Sequence, residues 1–289
     1  MTLPAVKAIE AHVLGKIAKA QVIDEPYPHI LVDNLLPADL YAEVVAAVPP
    51  TSEMERVSYP GTGFGKKTAT SRDYGFRHRA LKTTDGPLGV VRDVLASDAF
   101  ARALLDKFAT SIPAEKHVRF DNGSADFSTV FDLQVDLEGY AIAPHPDIPS
   151  KLVTFQIYLS PDETLAKQGT FMCVPKDNDR VKRGRTKLAL AAGRAIALVS
   201  KLVPSAYARV ERSRLGEAFG IGDQRAWFPW SWFDVAKVAP ALPNNFFAFA
   251  PNERSYHAVT MDGLVGERPV IRGFIRAGAD TSNWIAPRM

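Results

Sequence analysis

The 289-residue sequence contains a single cysteine, Cys173. A disulfide within the chain is therefore excluded, and the fold has to be held by its core. A chain of this length can bury enough apolar surface to do so without covalent staples. Cysteine this scarce suits a reducing compartment, and we expect a cytoplasmic protein.

The chain also lacks the marks of a secreted or membrane protein. Charged residues interrupt every apolar run in residues 1–21, so we expect no signal peptide there. No apolar segment is long enough, without charges, to span a bilayer, and we expect no stable membrane insertion. Repeats and low-complexity tracts are also absent, which leaves an ordinary globular composition with 46% hydrophobic residues.

The net charge of +3 is distributed unevenly. Residues 176–215 contain eleven Lys and Arg and three Asp and Glu, a local net charge of +8 that leaves the rest near −5. Long apolar runs interrupt these basic residues, and they do not form a basic and aromatic groove. We therefore expect no nucleic-acid partner.

Hydrophobic periodicity predicts a β-rich fold with a few helices. Apolar residues at helical spacing predict helices over 39–48 and 97–110, the second capped by Ser97. Residues 51–80 are rich in glycine and polar residues, which predicts a loop. Alternating or β-branched runs predict strands at 29–34, 130–137, 151–159, 169–174, 246–249 and 270–276. Short strands joined by turns favour a β-sandwich or barrel.

We predict a single domain with a helical insertion. A helical and loop region covers 1–125, and the β-core is formed by 126–176 and 233–280. The insertion, residues 177–232, separates the two halves of that core. Three interpretations stay open for it: a packed appendage, a lid over the barrel mouth that favours an acidic substrate, or a helix resting on an anionic membrane surface.

His145 and Asp147 form the strongest candidate site. Alternate residues of a strand point to the same face, so an imidazole and a carboxylate at this spacing can hold one metal ion. Of the six histidines, only His145 is followed two residues later by a carboxylate. His257, just after the 246–249 strand, is the best third ligand. Two imidazoles and one carboxylate occupy one face of octahedral Fe(II) and leave three positions open.

Four segments contain or flank these residues: 139–147, 151–159, 243–249 and 257–259. They resemble motifs of the 2-oxoglutarate- and Fe(II)-dependent oxygenases, most closely those of the branch of prolyl-hydroxylase-like enzymes. Two separated motifs agree with the family in order, spacing and secondary structure, and the resemblance covers roughly 27–50, 130–175 and 233–276. An insertion as long as 177–232 is not a general feature of that family.

The resemblance implies a double-stranded β-helix, a jelly roll of the cupin type, that binds Fe(II) through His145, Asp147 and His257. It also implies an oxidoreductase, a dioxygenase that uses 2-oxoglutarate and O2 to hydroxylate or otherwise oxidise its substrate. Arg268, eleven residues after His257, stands where the family places the basic residue that pairs with the C5 carboxylate of 2-oxoglutarate.

Further residues are candidates for binding the co-substrate. No Ser or Thr stands two residues after Arg268 to share the carboxylate, which departs from the family pattern. Arg272 has the same strand parity as Arg268, so its side chain can face the same side of the strand, and it is the second choice for binding the carboxylate. Arg276 also has this parity, but we expect it at a solvated strand end. Tyr140 and Gln156 are weaker candidates, each equally plausible as an ordinary barrel residue.

The sequence leaves the substrate open. We expect a small-molecule or carrier-bound substrate, and the basic insertion favours an acidic one. The alternatives are a hydroxylase of protein side chains, of the prolyl type, and a non-catalytic cupin-like protein that binds a metal or ligand. An intact carboxylate site at Arg268 favours turnover, whereas a filled one favours the non-catalytic alternative.

Overall fold

Five helices and twelve strands are seen in the computed structural model, which describes residues 3–56, 71–72, 75–78, 85–112, 127–147, 151–184, 228 and 230–277. The helices are α1 Leu3–Lys19, α2 Ala38–Ala46, α3 Gly86–Leu95, α4 Asp98–Lys107 and α5 Asn178–Gly184. The strands are β1 His29–Val32, β2 Glu55–Arg56, β3 Ser71–Arg72, β4 Gly75–His78, β5 Phe127–Leu137, β6 Ala141–His145, β7 Lys151–Tyr158, β8 Thr170–Pro175, β9 Phe233–Ala239, β10 Phe246–Phe249, β11 His257–Thr260 and β12 Glu267–Ala277.

The strands form two antiparallel sheets between which the chain passes repeatedly. The larger sheet has the order β1-β10-β7-β12-β5-β4-β2, and the smaller has the order β3-β6-β11-β8-β9. From β5 onward, β5, β7, β10 and β12 lie in the larger sheet, and β6, β8, β9 and β11 lie in the smaller. This alternation is that of a double-stranded β-helix, and the predicted jelly-roll core is confirmed.

The larger sheet has a different apolar partner on each face. On β12, Ile271 and Ile275 face a cluster that includes Phe100 of α4, whereas Val270 belongs to a second cluster between the two sheets. The helices α2 and α4 therefore pack on one face of the larger sheet. The contact is tight at Gly273, where an added Cβ would lie 2.2 Å from Cζ of Phe155.

Most of the predicted elements are present. The helices predicted over 39–48 and 97–110 are α2 and α4, and the Ser97 hydroxyl caps α4 by accepting a hydrogen bond from the Phe100 backbone N–H at 3.1 Å. The predicted strands are present as β1, β5, β7, β8, β10 and β12. Sequence periodicity did not indicate α3, β6, β9 or β11, because most of these are short and β9 is largely exposed.

The interpretation of residues 51–80 as loop is wrong in part. β2, β3 and β4 lie in this segment; β3 pairs with β6, and β4 pairs with β5. These strands have only two to four residues and extend the edges of both sheets. Backbone hydrogen bonds to a neighbouring strand can form such short edges without any alternation of apolar residues.

Most of the insertion lies outside the described residues. Within 177–232, the structure describes α5, the single residue Phe228 and a short 3-10 turn at Trp230–Trp232. Phe228 and Trp232 are buried with Cys173 and Tyr256. The single-domain organisation and the role of the insertion stay predictions. None of the described helices is long and apolar enough to cross a membrane.

Candidate metal centre

His145, Asp147 and His257 come together at one place. Each offers a ligand atom, and these atoms all lie within 4.8 Å of one another. The pairing of β6 with β11 places His257 directly opposite His145, and their ring centroids are 4.3 Å apart. Directly opposed residues of an antiparallel pair have Cβ atoms only about 4.5–5.5 Å apart, which explains how two distant histidines meet.

Asp147 is held in the site by contacts with another strand, and not, as expected, by sharing a strand face with His145. The predicted shared strand face does not apply, because β6 ends at His145 and Asp147 lies beyond the strand. Its carboxylate is fixed instead by β7 of the opposite sheet: Lys151 pairs with Oδ1, and the Thr154 hydroxyl donates to Oδ2. The same Oδ2 lies 3.8 Å from Nε2 of His257.

Both histidines present the same nitrogen to this shared space. Nδ1 of His145 bonds the Ala143 carbonyl at 2.8 Å, and Nδ1 of His257 bonds the Ser255 carbonyl at 3.0 Å. A carbonyl oxygen can only accept, so each Nδ1 carries the hydrogen and donates it. Each Nε2 then keeps a lone pair for a metal ion, and the backbone fixes the orientation of both rings.

Burial keeps the site in the protonation state that a metal ion needs. Burial, with repulsion from His257, lowers the pKa of His145 to about 3, and burial also lowers the pKa of His257. Burial by itself raises the pKa of Asp147, but Lys151 and the two histidines outweigh it and bring the pKa below its usual range. At neutral pH the set is two neutral imidazoles and one carboxylate.

Lys151 is an unusual neighbour of such a site. Its side chain is 11% exposed, and its ammonium lies 3.3 Å from the ring centroid of Phe274. Burial lowers the pKa of Lys151 to about 8, against the opposing effect of Asp147, and Arg272 and Arg276 lower it further by repulsion. These arginines therefore lie within electrostatic reach of the site.

The donor set fits Fe(II). Two imidazole nitrogens and a carboxylate oxygen at one end of a β-barrel are the ligands of the facial triad of non-haem Fe(II) oxygenases. Lys151 and Thr154 supply the second layer of contacts that such a carboxylate needs to keep its orientation.

Arg268 lies deeper in the barrel and is almost fully buried, with 3% exposure. It stands opposite Asp136 on β5, and Nε donates to Oδ2 of that residue at 3.0 Å while Nη2 donates to the same oxygen. Nη1 donates to the Gln168 carbonyl at 2.6 Å. A guanidinium has five N–H groups, so one remains on each terminal nitrogen for a further acceptor.

The other predicted contacts lie on the same inner surface. Arg272 donates from Nη2 to Oε1 of Gln134 at 2.6 Å, and its Nη1 is 3.4 Å from the Tyr140 hydroxyl. Gln156, opposite Arg272 on β7, accepts a hydrogen bond from Thr170 at 2.8 Å. Tyr140 is fully buried and Gln156 is 7% exposed.

Arg276 differs from the expectation. A solvated strand end is wrong, since Arg276 is only 8% exposed. β12 continues to Ala277 and pairs with strands on both sides, and Arg276 lies opposite Ser128 on β5 and Lys151 on β7. Neighbouring strands therefore cover β12 on both edges at Arg276. The sequence alone does not reveal this burial, because it shows only basic residues at regular spacing along the strand.

Sequence reasoning missed the residues that position the site. Lys151, Thr154 and Asp136 lie within predicted strands, and the sequence assigned them no role in a site. A usable signal was present, because the predicted strand 151–159 is otherwise rich in apolar residues yet contains a lysine and a threonine. Charged or polar residues on such a strand point either to a partner or to a site.

Comparison with known proteins gives structural matches only. No family model and no curated protein matches the chain. Among solved structures, a prolyl-4-hydroxylase from Pseudomonas putida matches with 12% identity over 93% of this chain and 98% of its own, at a TM-score of 0.47. The 2-oxoglutarate-dependent epimerase SnoN of nogalamycin biosynthesis matches with 11% identity over 96% and 84%, at a TM-score of 0.43.

A third match is a 2-oxoglutarate–Fe(II) oxygenase family protein from Burkholderia pseudomallei, with 11% identity over 93% of this chain and 92% of its own, at a TM-score of 0.43. Similarity at this level does not reveal the reaction of this chain. The reaction has to be inferred from the residues of its own site.

Proposed function

We propose that this protein is an Fe(II)- and 2-oxoglutarate-dependent oxygenase. One observation carries the proposal: His145 and His257, opposed across two strands, have their Nδ1 atoms bonded to the backbone, and each offers a ligand atom within 4.8 Å of the one that Asp147 offers. This arrangement offers three ligand atoms to one side of a metal ion.

The protein residues have distinct parts in the proposed reaction. When bound, Fe(II) and 2-oxoglutarate would supply the oxidising chemistry, in which O2 is consumed and 2-oxoglutarate leaves as succinate and CO2. The Ala143 and Ser255 carbonyls keep the imidazoles in the metal-binding tautomer. Lys151 and Thr154 orient the Asp147 carboxylate, whose side chain is only 4% exposed.

Arg268 is the proposed partner of the distal carboxylate of 2-oxoglutarate. Asp136 and the Gln168 carbonyl hold its guanidinium in place, and the remaining N–H on each terminal nitrogen can bind a carboxylate through two charge-assisted bonds. Arg272 is the alternative, because its electrostatic influence reaches His257 and Lys151 and it therefore lies nearer the metal centre.

The substrate is proposed to be a small or carrier-bound acid. Three basic residues, Lys151, Arg272 and Arg276, lie on the inner face at the metal end of β7 and β12. Positive potential in an enclosed site attracts and orients an anion. A screen for succinate release should therefore return carboxylic acids in preference to their neutral amides, and equal stimulation by both would contradict the proposal.

The decisive experiment measures succinate. Protein loaded with Fe(II) under anaerobic conditions should release succinate from 2-oxoglutarate when O2 is admitted, at a rate that a substrate stimulates. Asp147→Ala should abolish this release because the metal loses one of its ligands. Asp39→Ala, an exposed carboxylate on α2, is the matched control and should leave the release unchanged. Normal turnover in the Asp147 variant would show that the triad is wrong.

A non-catalytic, ligand-binding protein is the second candidate, and one contact favours it. Arg268 already has a buried carboxylate partner in Asp136, which could replace that of a co-substrate. The same loaded protein distinguishes the two functions. A ligand-binding protein of this kind would bind the metal, would not bind 2-oxoglutarate because Asp136 occupies Arg268, and would release no succinate with any substrate in the screen.

A further inference from the structure

Six buried side-chain atoms have no hydrogen-bond partner among the residues that the structure describes. Two of them, the hydroxyl of Tyr27 and Nε2 of His29, belong to residues with no exposed surface. A buried polar group without a partner costs about 1–3 kcal/mol, so native structures contain few. Such a group usually marks a place that a ligand or water occupies in the working protein.

One aromatic ring links Tyr27 to the metal centre. The Tyr27 ring packs on Phe249 at 5.4 Å between centroids, and Phe249 in turn packs on the His257 ring at 4.8 Å. The register explains this placement, because β1 pairs with β10 so that His29 stands opposite Phe249. Tyr27 also belongs to the apolar cluster between the sheets, together with Tyr158.

The two groups offer different chemistry. Burial raises the pKa of Tyr27 well above its usual range, with further contributions from Cys173, Asp147 and Tyr158, so the hydroxyl stays protonated and can donate. Nδ1 of His29 donates to the Tyr27 carbonyl at 2.8 Å, which leaves a lone pair on Nε2. An anionic oxygen can therefore bond Tyr27, whereas His29 suits only a water or a hydroxyl.

Two aromatic neighbours relate Tyr27 to both ends of the proposed co-substrate site. Phe249 contacts the His257 ring at the metal centre, and Tyr158, which belongs to the same apolar cluster as Tyr27, has the Arg268 guanidinium 5.8 Å from its ring centroid. A ligand that extends from the metal to Arg268 would therefore pass near this cluster.

We propose that the Tyr27 hydroxyl donates a hydrogen bond to a carboxylate oxygen of the 2-oxo acid bound at the His145–Asp147–His257 centre. This inference rests on the proposed function and adds to it a co-substrate-binding residue from a part of the chain that carries no motif. The residue reaches the site only through the pairing of β1 with β10.

The test is Tyr27→Phe, which removes one oxygen atom and keeps the ring. In protein loaded with Co(II), without O2, the dissociation constant for 2-oxoglutarate measured by calorimetry should rise about ten-fold, equivalent to about 1.4 kcal/mol. The stability of the metal-free variant should be unchanged or higher, because an unsatisfied buried hydroxyl has been removed.

Tyr41→Phe is the matched control. The Tyr41 hydroxyl donates to the Ser160 carbonyl at 2.6 Å, and Tyr41 packs with the cluster on the helical side of the larger sheet. Its loss should lower the stability of the metal-free protein and leave the dissociation constant for 2-oxoglutarate unchanged. The two variants should therefore show opposite patterns.

The outcomes separate this inference from the proposed function. If wild-type protein loaded with Co(II) does not bind 2-oxoglutarate, the proposed function fails and this inference fails with it. If wild type binds and Tyr27→Phe binds equally well, only the inference is wrong. Should the variant not fold, the tyrosine absorption of wild type decides: titration with 2-oxoglutarate should shift it, and an unchanged spectrum would overturn the proposal.

Discussion

Removal of the Asp147 carboxylate should destabilise the metal-free protein strongly. The ion pair of Lys151 with Asp147 is enclosed, with side-chain exposures of 11% and 4%. Asp147→Ala leaves the Lys151 ammonium buried without its partner, which typically costs about 3–5 kcal/mol. The pKa of Lys151, already lowered to about 8 by burial, would then fall further, because the opposing effect of Asp147 is lost.

A second substitution should reverse the loss. Asp147→Ala combined with Lys151→Met replaces both charges with apolar groups, which is often neutral or stabilising for a buried pair. Urea denaturation of the metal-free wild type, the two single variants and the double variant gives the coupling between the residues. Metal binding should be absent from both proteins that lack Asp147, including the one whose stability recovers.

The pH dependence provides an independent check. In the Asp147→Ala variant the folded pKa of Lys151 lies below the unfolded value, so the unfolded state binds more protons and stability should rise with pH. The variant should regain part of its lost stability between pH 7 and pH 9. A loss below about 1 kcal/mol, or a double variant no more stable than the single one, would refute a buried pair of this strength.

The remaining predictions concern the co-substrate, the histidines and the packing of the larger sheet. Arg268→Ala should raise the apparent KM for 2-oxoglutarate, measured by succinate release, by about one to two orders of magnitude. This equals about 1.4–2.7 kcal/mol and overlaps the lower part of the range for removing one partner of a buried charge pair; the same effect from Arg272→Ala alone would reassign the carboxylate partner. His145, with its pKa lowered to about 3, should make the metal-free protein about 2 kcal/mol less stable at pH 5 than at pH 7, because the unfolded state takes up the proton first. In the His145→Gln variant, denaturation at pH 5 and pH 7 should no longer show this difference of about 2 kcal/mol in stability, within the accuracy of the assay. Gly273→Ala should lower the free energy of unfolding by about 1–3 kcal/mol in the same assay, because its Cβ has no room. Gly15→Ala, whose Cβ would have nothing within 4 Å, should instead stabilise α1 by up to about 1 kcal/mol. Equal effects of the two substitutions would contradict the tight packing at Gly273.

Much of the fold could be predicted from local pattern. α2 and α4 have a helical periodicity, and β7 and β12 are rich in β-branched and aromatic residues, so the residues by themselves indicate these elements. The edge strands β2, β3 and β4 carry no such pattern. Their hydrogen bonds come from strands far away in the sequence, and no local preference records that pairing.

The candidate site divides in the same way. Residue chemistry and spacing single out His145, Asp147 and His257, since few residue types bind a transition metal. The histidines meet only because β6 pairs with β11, a contact between residues more than a hundred positions apart. Asp147 is held by a strand of the other sheet, which its place two residues after His145 does not reveal.

The sequence by itself therefore determined which residues could bind a metal and which strands would be buried. Only the tertiary structure decided the surroundings of those residues: Asp136 beside Arg268, Lys151 beside Asp147, and Tyr27 beside Phe249. The physical reason is range. Periodicity and side-chain chemistry act over a few residues, whereas burial, charge pairing and a missing hydrogen-bond partner arise only when distant strands are brought into register.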